Sequence, residues 1–241
     1  MTSDTQALIQ QGALARPAVA EYVDTEPDAT AVGPELLTAS PGRVYGIAKR
    51  SLDITMATTL LLLLSPIIAL IALTVYLTDR GSIFFSQKRT GMHGERFTLW
   101  KFRTMCPDAE AMQAELQHLS TVAYPDFKLD HDPRITAIGR FLRATYLDEL
   151  PQLINVLRGD MSLVGPRPTS FAPSTYDLWH TERLEVRPGI TGLWQVHRSS
   201  DESSFDERLR LDIQYVRNRS FGGDLQLIFE TFARQIRFSG R

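Results

Sequence analysis

Two adjacent carboxylates, Asp148 and Glu149, stand in the segment LRATYLDELPQLINVLRGDMSLVGPRP, residues 142–168. Fixed cations surround them in the chain. Arg143 precedes the pair, Arg158 and Arg167 follow it, and Arg167 is pinned between Pro166 and Pro168. Lys101 and Arg103 lie close together in the run WKFRTM. Guanidinium groups match phosphate oxygens two at a time. A carboxylate pair can hold Mg²⁺ or supply a nucleophile and a base. The constellation therefore suits a diphosphate substrate with a metal. Each member has a plainer explanation when taken alone. Asp148 falls just ahead of a helix with Pro151 in its first turn, so it reads equally well as an N-cap. A helix start at Leu150 would also offer free N–H groups and a positive dipole end as a phosphate cradle. A single arginine is usually a solvated surface charge. No rival constellation competes: the chain has no GxGxxG, no Walker loop and no metal-spaced Cys/His cluster. The five histidines (His93, His118, His131, His180, His197) are scattered. Trp100, Trp179 and Trp194 suit core packing or a membrane interface.

Composition narrows the class. The 241 residues carry a net charge of −2, so a strongly basic nucleic-acid binder is excluded. The average hides an asymmetry. Residues 1–40 hold six acids and one base, leaving 25 bases against 22 acids in the rest. A mildly basic body suits phosphates or lipid head groups. Cys106 is the sole cysteine, so no intrachain disulfide forms, which fits a reducing compartment. The first forty residues lack a basic start and an apolar core, so no secretory signal is read there. Their composition predicts a disordered acidic tail over residues 1–42.

From Ile54 to Thr78 runs a stretch of 25 residues without a charge. As a straight helix it would be ~38 Å long, enough to cross a hydrocarbon core of roughly 30 Å. Two features argue against a plain crossing. Ser65-Pro66 interrupts the middle, where proline removes a backbone hydrogen bond. Both flanks are basic: Arg43, Lys49 and Arg50 before, and Arg80, Lys88, Arg89 and Arg96 after. Positive flanks mark the cytoplasmic side, and a crossing would leave one of them outside. The expectation is a re-entrant helix over residues 43–80, broken at Ser65-Pro66, with both flanks inside.

Residues 81–241 then form the catalytic domain. Ile83 to Gln87 and Arg96 to Phe102 read as two strands around a turn at residues 90–94. Helical spacing appears over Asp108 to Leu119, around Ile138, Phe141 and Leu142, and from Leu150 to Leu157, where Gly159 stops it. Residues 163–168 must be an ordered loop. RPGITGLWQV, residues 187–196, reads as a turn and a strand-like piece. Phe205 to Val216 and Asp224 to Ile236 read as amphipathic helices. The fold class is α/β, mostly α with a small β-hairpin.

At this level of detail the chain resembles the bacterial sugar transferases, the monotopic polyprenyl-phosphate phosphoglycosyl transferases. The matching runs are KRSLDI (49–54), the Ser65-Pro66 pair, QKRTGMHGERFTLWKFRTM (87–105), DPRITAIGRFLRATYLDELPQLINVLRGDMSLVGPRP (132–168), RPGITGLWQV (187–196) and YVRN (215–218). Without preceding spanning helices it looks like the short, exopolysaccharide-initiating form. The resemblance implies a re-entrant helix in the cytoplasmic leaflet of the bacterial inner membrane. It implies a UDP-sugar donor, undecaprenyl phosphate as acceptor, lipid as surroundings, and no nucleic-acid partner; a homodimer stays open. It implies that Asp148 attacks the sugar-bearing phosphate, that UMP leaves, and that an aspartyl-phosphosugar forms. Glu149 supports this step and Mg²⁺ lies against both carboxylates. Arg143 and Arg167 fall where phosphate-binding arginines are expected, with Lys101 and Arg103 assigned to the same task. Two places depart from the usual pattern: Val196-His197-Arg198-Ser199 lacks a glycine, and Arg219 replaces a common tryptophan. The alternative is a non-catalytic membrane scaffold of a polysaccharide assembly machine, which would be expected to have lost one of Asp148, Glu149, Arg143 or Arg167. A hydrolase would need an activated water instead of a nucleophilic aspartate.

Overall fold

A computed structural model describes residues 42–120, 129, 131–170, 178–197 and 205–238. The expected acidic tail and the altered stretch after His197 lie outside the described residues.

Helix α1, Arg43–Asp79, is the longest element at 37 residues. It runs through Ser65-Pro66 as helix, so the expected break is instead a proline inside one continuous helix. The hydrogen bonds explain the continuity. Pro66 has no N–H to give to the carbonyl four residues back, which belongs to Leu62. Ser65 Oγ donates to that same Leu62 carbonyl at 2.8 Å. An unpaired carbonyl is costly in an apolar surround, and the serine supplies the missing donor. Thr74 and Thr78 likewise donate to the carbonyls of Leu70 and Thr74.

One face of α1 packs on the body. Asp53, Ala57, Ile71 and Val75 are buried, spaced at whole helical turns. The other face is apolar and exposed, with Leu62, Leu63, Ile67, Leu70, Leu73 and Leu77. Both ends of the apolar run are tied to the same body. Near its start, Arg50 donates to the carbonyls of Val156 and Leu157 at 2.6 and 2.8 Å. Asp53 accepts from Ser162 Oγ and the Leu163 N–H, each at 3.0 Å. Near its end, Ile71 and Val75 pack with Phe102 and Leu142, and Asp79 pairs with Arg103. A charged body cannot stand on both faces of a bilayer. The arrangement fits a monotopic membrane protein.

The body is mostly helical with little sheet. Strands β1 (Phe84–Thr90) and β2 (Arg96–Phe102) form the expected antiparallel hairpin, Phe84 opposite Phe102 and Thr90 opposite Arg96. Helix α2 spans Ala109–Leu116 and α3 spans Ala137–Ala144. Thr136 caps α3 by accepting the Gly139 N–H at 3.0 Å. Gly139 lets α3 close on the end of β2, because a Cβ there would run into the Thr104 carbonyl. Helix α4, Gln152–Arg158, stops at Gly159, which takes the left-handed φ of 89° that glycine tolerates.

A second, parallel pair joins β3 (Ser162–Val164) to β4 (Gly189–Thr191). The turn and strand-like piece expected over residues 187–196 are met by β4, after which the run ends as a short helix, α5, Leu193–His197. Arg234 supplies the reason from another helix, donating to the carbonyls of Gln195 and Val196 at its end. Helices α6 (Phe205–Asn218) and α7 (Phe221–Phe238) match the expected amphipathic pair. Asp224 fastens α7 to α1: it is fully buried and accepts from Tyr45 Oη at 2.9 Å, Lys49 Nζ at 2.8 Å and Tyr215 Oη at 2.7 Å. Phe221, Leu225, Phe229 and Phe232 of α7 remain exposed along one face.

Two apolar clusters hold these parts. One joins Ala57 to Leu99, Leu153, Val156, Val164 and Val216. The other joins Ile71 and Val75 to Phe102 and Leu142. Leu150 packs against both. The carboxylate pair immediately before it is therefore anchored at their junction.

Candidate active site

The dyad sits on a short 3-10 turn, Leu147–Glu149, between α3 and α4. Tyr146 enters that turn with φ 58° and ψ 13°, a left-handed conformation that non-glycine residues rarely take. The turn overturns two expectations. Asp148 caps no helix, because α4 begins only at Gln152 and the turn carries no side-chain cap bond. The Leu150 N–H is not a free phosphate donor, because it already bonds the Leu147 carbonyl at 3.3 Å. Side-chain cations must do the work assigned to the helix start.

Three of them converge. Lys101, on β2, donates from Nζ to Glu149 Oε1 at 2.6 Å and lies 3.9 Å from Asp148 Oδ2. Arg167 donates from Nη2 to Glu149 Oε1 at 3.3 Å. Arg143, on α3, gives its Nε–H to Thr104 Oγ1 at 2.9 Å and makes no ion pair among the described residues. Its charge and that of Arg167 both favour ionised Asp148.

The two carboxylates are treated unequally. Glu149 Oε1 takes both close cations. Burial alone would raise its pKa, but Arg167 and Lys101 outweigh burial and bring it down to about 2. Asp148 is 7% exposed, and its carboxylate accepts no hydrogen bond among the described residues. Burial pushes its pKa up, and Lys101 pulls against that. Glu149 is thus a fixed anion that organises the cations. Asp148 is an ionisable carboxylate with no hydrogen-bond donor on it among the described residues, 3.9 Å from Lys101 Nζ.

Other expected residues lie elsewhere. Arg103 pairs with Asp79 and packs over Gly81, so it ties β2 to the end of α1 and is not at the dyad. Arg158 is the last residue of α4, where with Lys88, Trp100 and Arg187 it lines a groove of about 490 Å³. Trp194 packs under Arg208, and Trp100 meets Phe84 edge to face.

The structure adds positioning residues the sequence did not single out. Thr104 orients Arg143. Asn155, fully buried, accepts the Trp100 N–H and donates to the Thr98 carbonyl, clamping α4 to β2. Arg183 and Asp212 form a buried pair behind the Arg167 loop. A signal for Asp212 was present. It interrupts an apolar stripe of Leu209, Ile213 and Val216 on α6, and an acid there needs a buried partner.

The dyad also offers carboxylate oxygens to a cation. No group of three or more metal-ligating side chains occurs among the described residues. Among the described residues, the Asp148 carboxylate and Glu149 Oε2 accept no hydrogen bond. Mg²⁺ typically takes one or two carboxylates, then waters and substrate phosphates. This donor set fits that habit.

Similarity to known proteins identifies the family. The family described as bacterial sugar transferase matches residues 44–237. The exopolysaccharide production protein ExoY of Rhizobium meliloti (strain 1021) is 42% identical over 193 residues, covering 78% of this chain and 85% of that protein. The galactosyl transferase CpsE of Streptococcus agalactiae serotype III is 44% identical over 186 residues, 77% of this chain but 41% of CpsE. The UDP-glucose:undecaprenyl-phosphate glucose-1-phosphate transferase of Escherichia coli K12 is 40% identical over 196 residues, 78% of this chain and 40% of that protein. The match thus spans most of ExoY and about two fifths of the longer relatives. With its dyad, its converging cations and its apolar helix, the chain belongs to the bacterial sugar transferase family and is a phosphoglycosyl transferase.

Proposed function

We propose that the chain transfers a hexose-1-phosphate from a UDP-sugar to undecaprenyl phosphate through an aspartyl-phosphosugar intermediate. The observation that carries this reading is the division within the dyad. Glu149 gathers Lys101 and Arg167, while buried Asp148 keeps an unblocked carboxylate beside them. An Asp148 oxygen attacks the sugar-bearing phosphorus. The bond to the bridging oxygen breaks, and UMP leaves with that oxygen. An oxygen of undecaprenyl phosphate then attacks the same phosphorus and releases Asp148. The product is a polyprenyl diphosphate sugar, and atoms and charges balance without an added base. Lys101, Arg143 and Arg167 bind and orient the diphosphate and neutralise charge as it spreads over the phosphoryl oxygens. Asp148 and Glu149 would hold Mg²⁺, which when bound supplies further charge neutralisation at the diphosphate.

The membrane placement belongs to the same reading. Helix α1 lies in the cytoplasmic leaflet of the inner membrane with Pro66 inside it, and both basic flanks stay on the cytoplasmic side. The exposed leucines of α1 and the exposed phenylalanines of α7 face lipid. Each such side chain gains about 1.5–3 kcal/mol on leaving water. This places the dyad where a lipid phosphate can reach it. Similarity to the exopolysaccharide production protein ExoY supports a role in initiating exopolysaccharide or related glycoconjugate synthesis.

Three tests follow from these assignments. Incubation with undecaprenyl phosphate, Mg²⁺ and a panel of UDP-sugars should release UMP with one or more sugars, and Asp148→Asn should abolish release. No release with any sugar, or full turnover by Asp148→Asn, would refute the reaction. The second test uses pH. Activity requires ionised Asp148, whose pKa stands above the ordinary aspartate range, and Lys101 holds it down. In Lys101→Met the acid limb of kcat/KM for UMP release should therefore move to higher pH; a limb that stays or moves lower contradicts the assignment. The third is topological. Val44→Cys and Phe85→Cys, each in a Cys106→Ser background, should both label only from the cytoplasmic side, whereas opposite sides would mean a crossing helix.

A further inference from the structure

Arg167 is the one cation of the site carried on a loop without regular secondary structure, and that loop has few ways to be held. Pro166 and Pro168 flank it and have no N–H to donate. Its edges are tied to the two sheets. The Gly165 N–H bonds the Thr191 carbonyl at 2.9 Å, and the Gly189 N–H bonds the Pro166 carbonyl at 2.9 Å. On the other side the Thr90 N–H bonds the Thr169 carbonyl at 3.0 Å. Between these ties, the carbonyl of Arg167 itself is gripped from behind. Arg183 donates from Nη2 to that carbonyl at 2.5 Å and to Asp212 Oδ2 at 2.5 Å. Arg183 is 4% exposed and Asp212 is 2% exposed. The two come from different elements: Arg183 from the 3-10 stretch Leu178–Glu185, Asp212 from α6.

A buried ion pair is weak evidence for stability, since apolar residues of similar volume often serve as well. This pair does something an apolar pair could not. It places a charged donor on the backbone of a residue whose side chain reaches Glu149 Oε1. Resting on the transferase reading above, we propose that Arg183, fixed by Asp212, is a positioning residue for phosphoryl transfer: it fixes the Arg167 carbonyl and thereby aims the Arg167 guanidinium at the phosphate over the dyad. Asp212 keeps Arg183 from swinging away. Neither residue touches substrate.

The test is a double-mutant cycle on UMP release by the full-length enzyme. Removing one partner alone would leave a buried charge, so the pair is replaced together as Arg183→Met/Asp212→Leu. The expected product is a folded protein with an unchanged thermal midpoint and kcat/KM for the UDP-sugar down about 100-fold, the cost of a misplaced charge. Adding Arg167→Ala to it should cost nothing beyond Arg167→Ala alone, because both changes remove the same contact. Arg183→Lys, which keeps a charged donor, should recover part of the loss. Multiplying losses, or a folded pair variant at full kcat/KM, would overturn the proposal. If the pair variant fails to fold, Arg183→Gln takes its place: a kcat/KM loss that Arg167→Ala does not deepen supports the proposal, and full kcat/KM overturns it. A wild type that releases no UMP would instead sink the transferase reading beneath it.

Discussion

The site depends on one constraint: two adjacent carboxylates must stay usable in a half-dry place. Side by side and buried, they would repel each other and hold protons. Glu149 resolves this by drawing Lys101 and Arg167 onto one oxygen, which keeps it ionised to about pH 2. Those same cations then stand next to Asp148 without blocking it. The surrounding structure serves this arrangement. The β2 strand delivers Lys101, the 3-10 turn delivers the dyad, and Asn155 fixes the distance between them. Arg143 comes from α3, whose approach to β2 depends on a glycine at position 139.

The apolar helix obeys a second constraint, that polar groups in an apolar surround need partners within the chain. Ser65 makes up for the donor that Pro66 lacks. The buried carboxylates of Asp53 and Asp224 each meet donors from distant segments. These contacts join α1 to β3 and α7, and Arg50 joins it to α4. Membrane docking and catalytic architecture are therefore one construction: the helix that meets lipid also braces the platform under the dyad.

Much of this was legible in the sequence because it rests on local chemistry. The dyad, Arg143, Arg167 and Lys101 were picked by type and spacing, and the structure brings them together. The hairpin, α3, α4 and the amphipathic α6 and α7 followed from periodicity and breakers. What was not legible depended on distant partners. Arg103 looked like a phosphate ligand until Asp79, 24 residues away, claimed it. Lys49 and Arg50 counted as positive flanking charge, yet both hold the fold together, one on Asp224 and one on the end of α4. The strand-like piece in RPGITGLWQV is confined to Gly189–Thr191, and the run ends as a helix because the arginine that stabilises it lies 38 residues on from Val196. The reading of Asp148 as a cap failed because a left-handed Tyr146 diverts the chain into a 3-10 turn, and no composition rule reveals that.

The central claim is that Asp148, not water and not Glu149, forms the bond to phosphorus. The most direct measurement is mass spectrometry of the enzyme rapidly quenched after mixing with a turned-over UDP-sugar and Mg²⁺, without acceptor. The account predicts one hexose phosphate on the peptide containing Asp148, formed with one equivalent of UMP and removed by undecaprenyl phosphate. Turnover without that adduct, or an adduct on another residue, would contradict it.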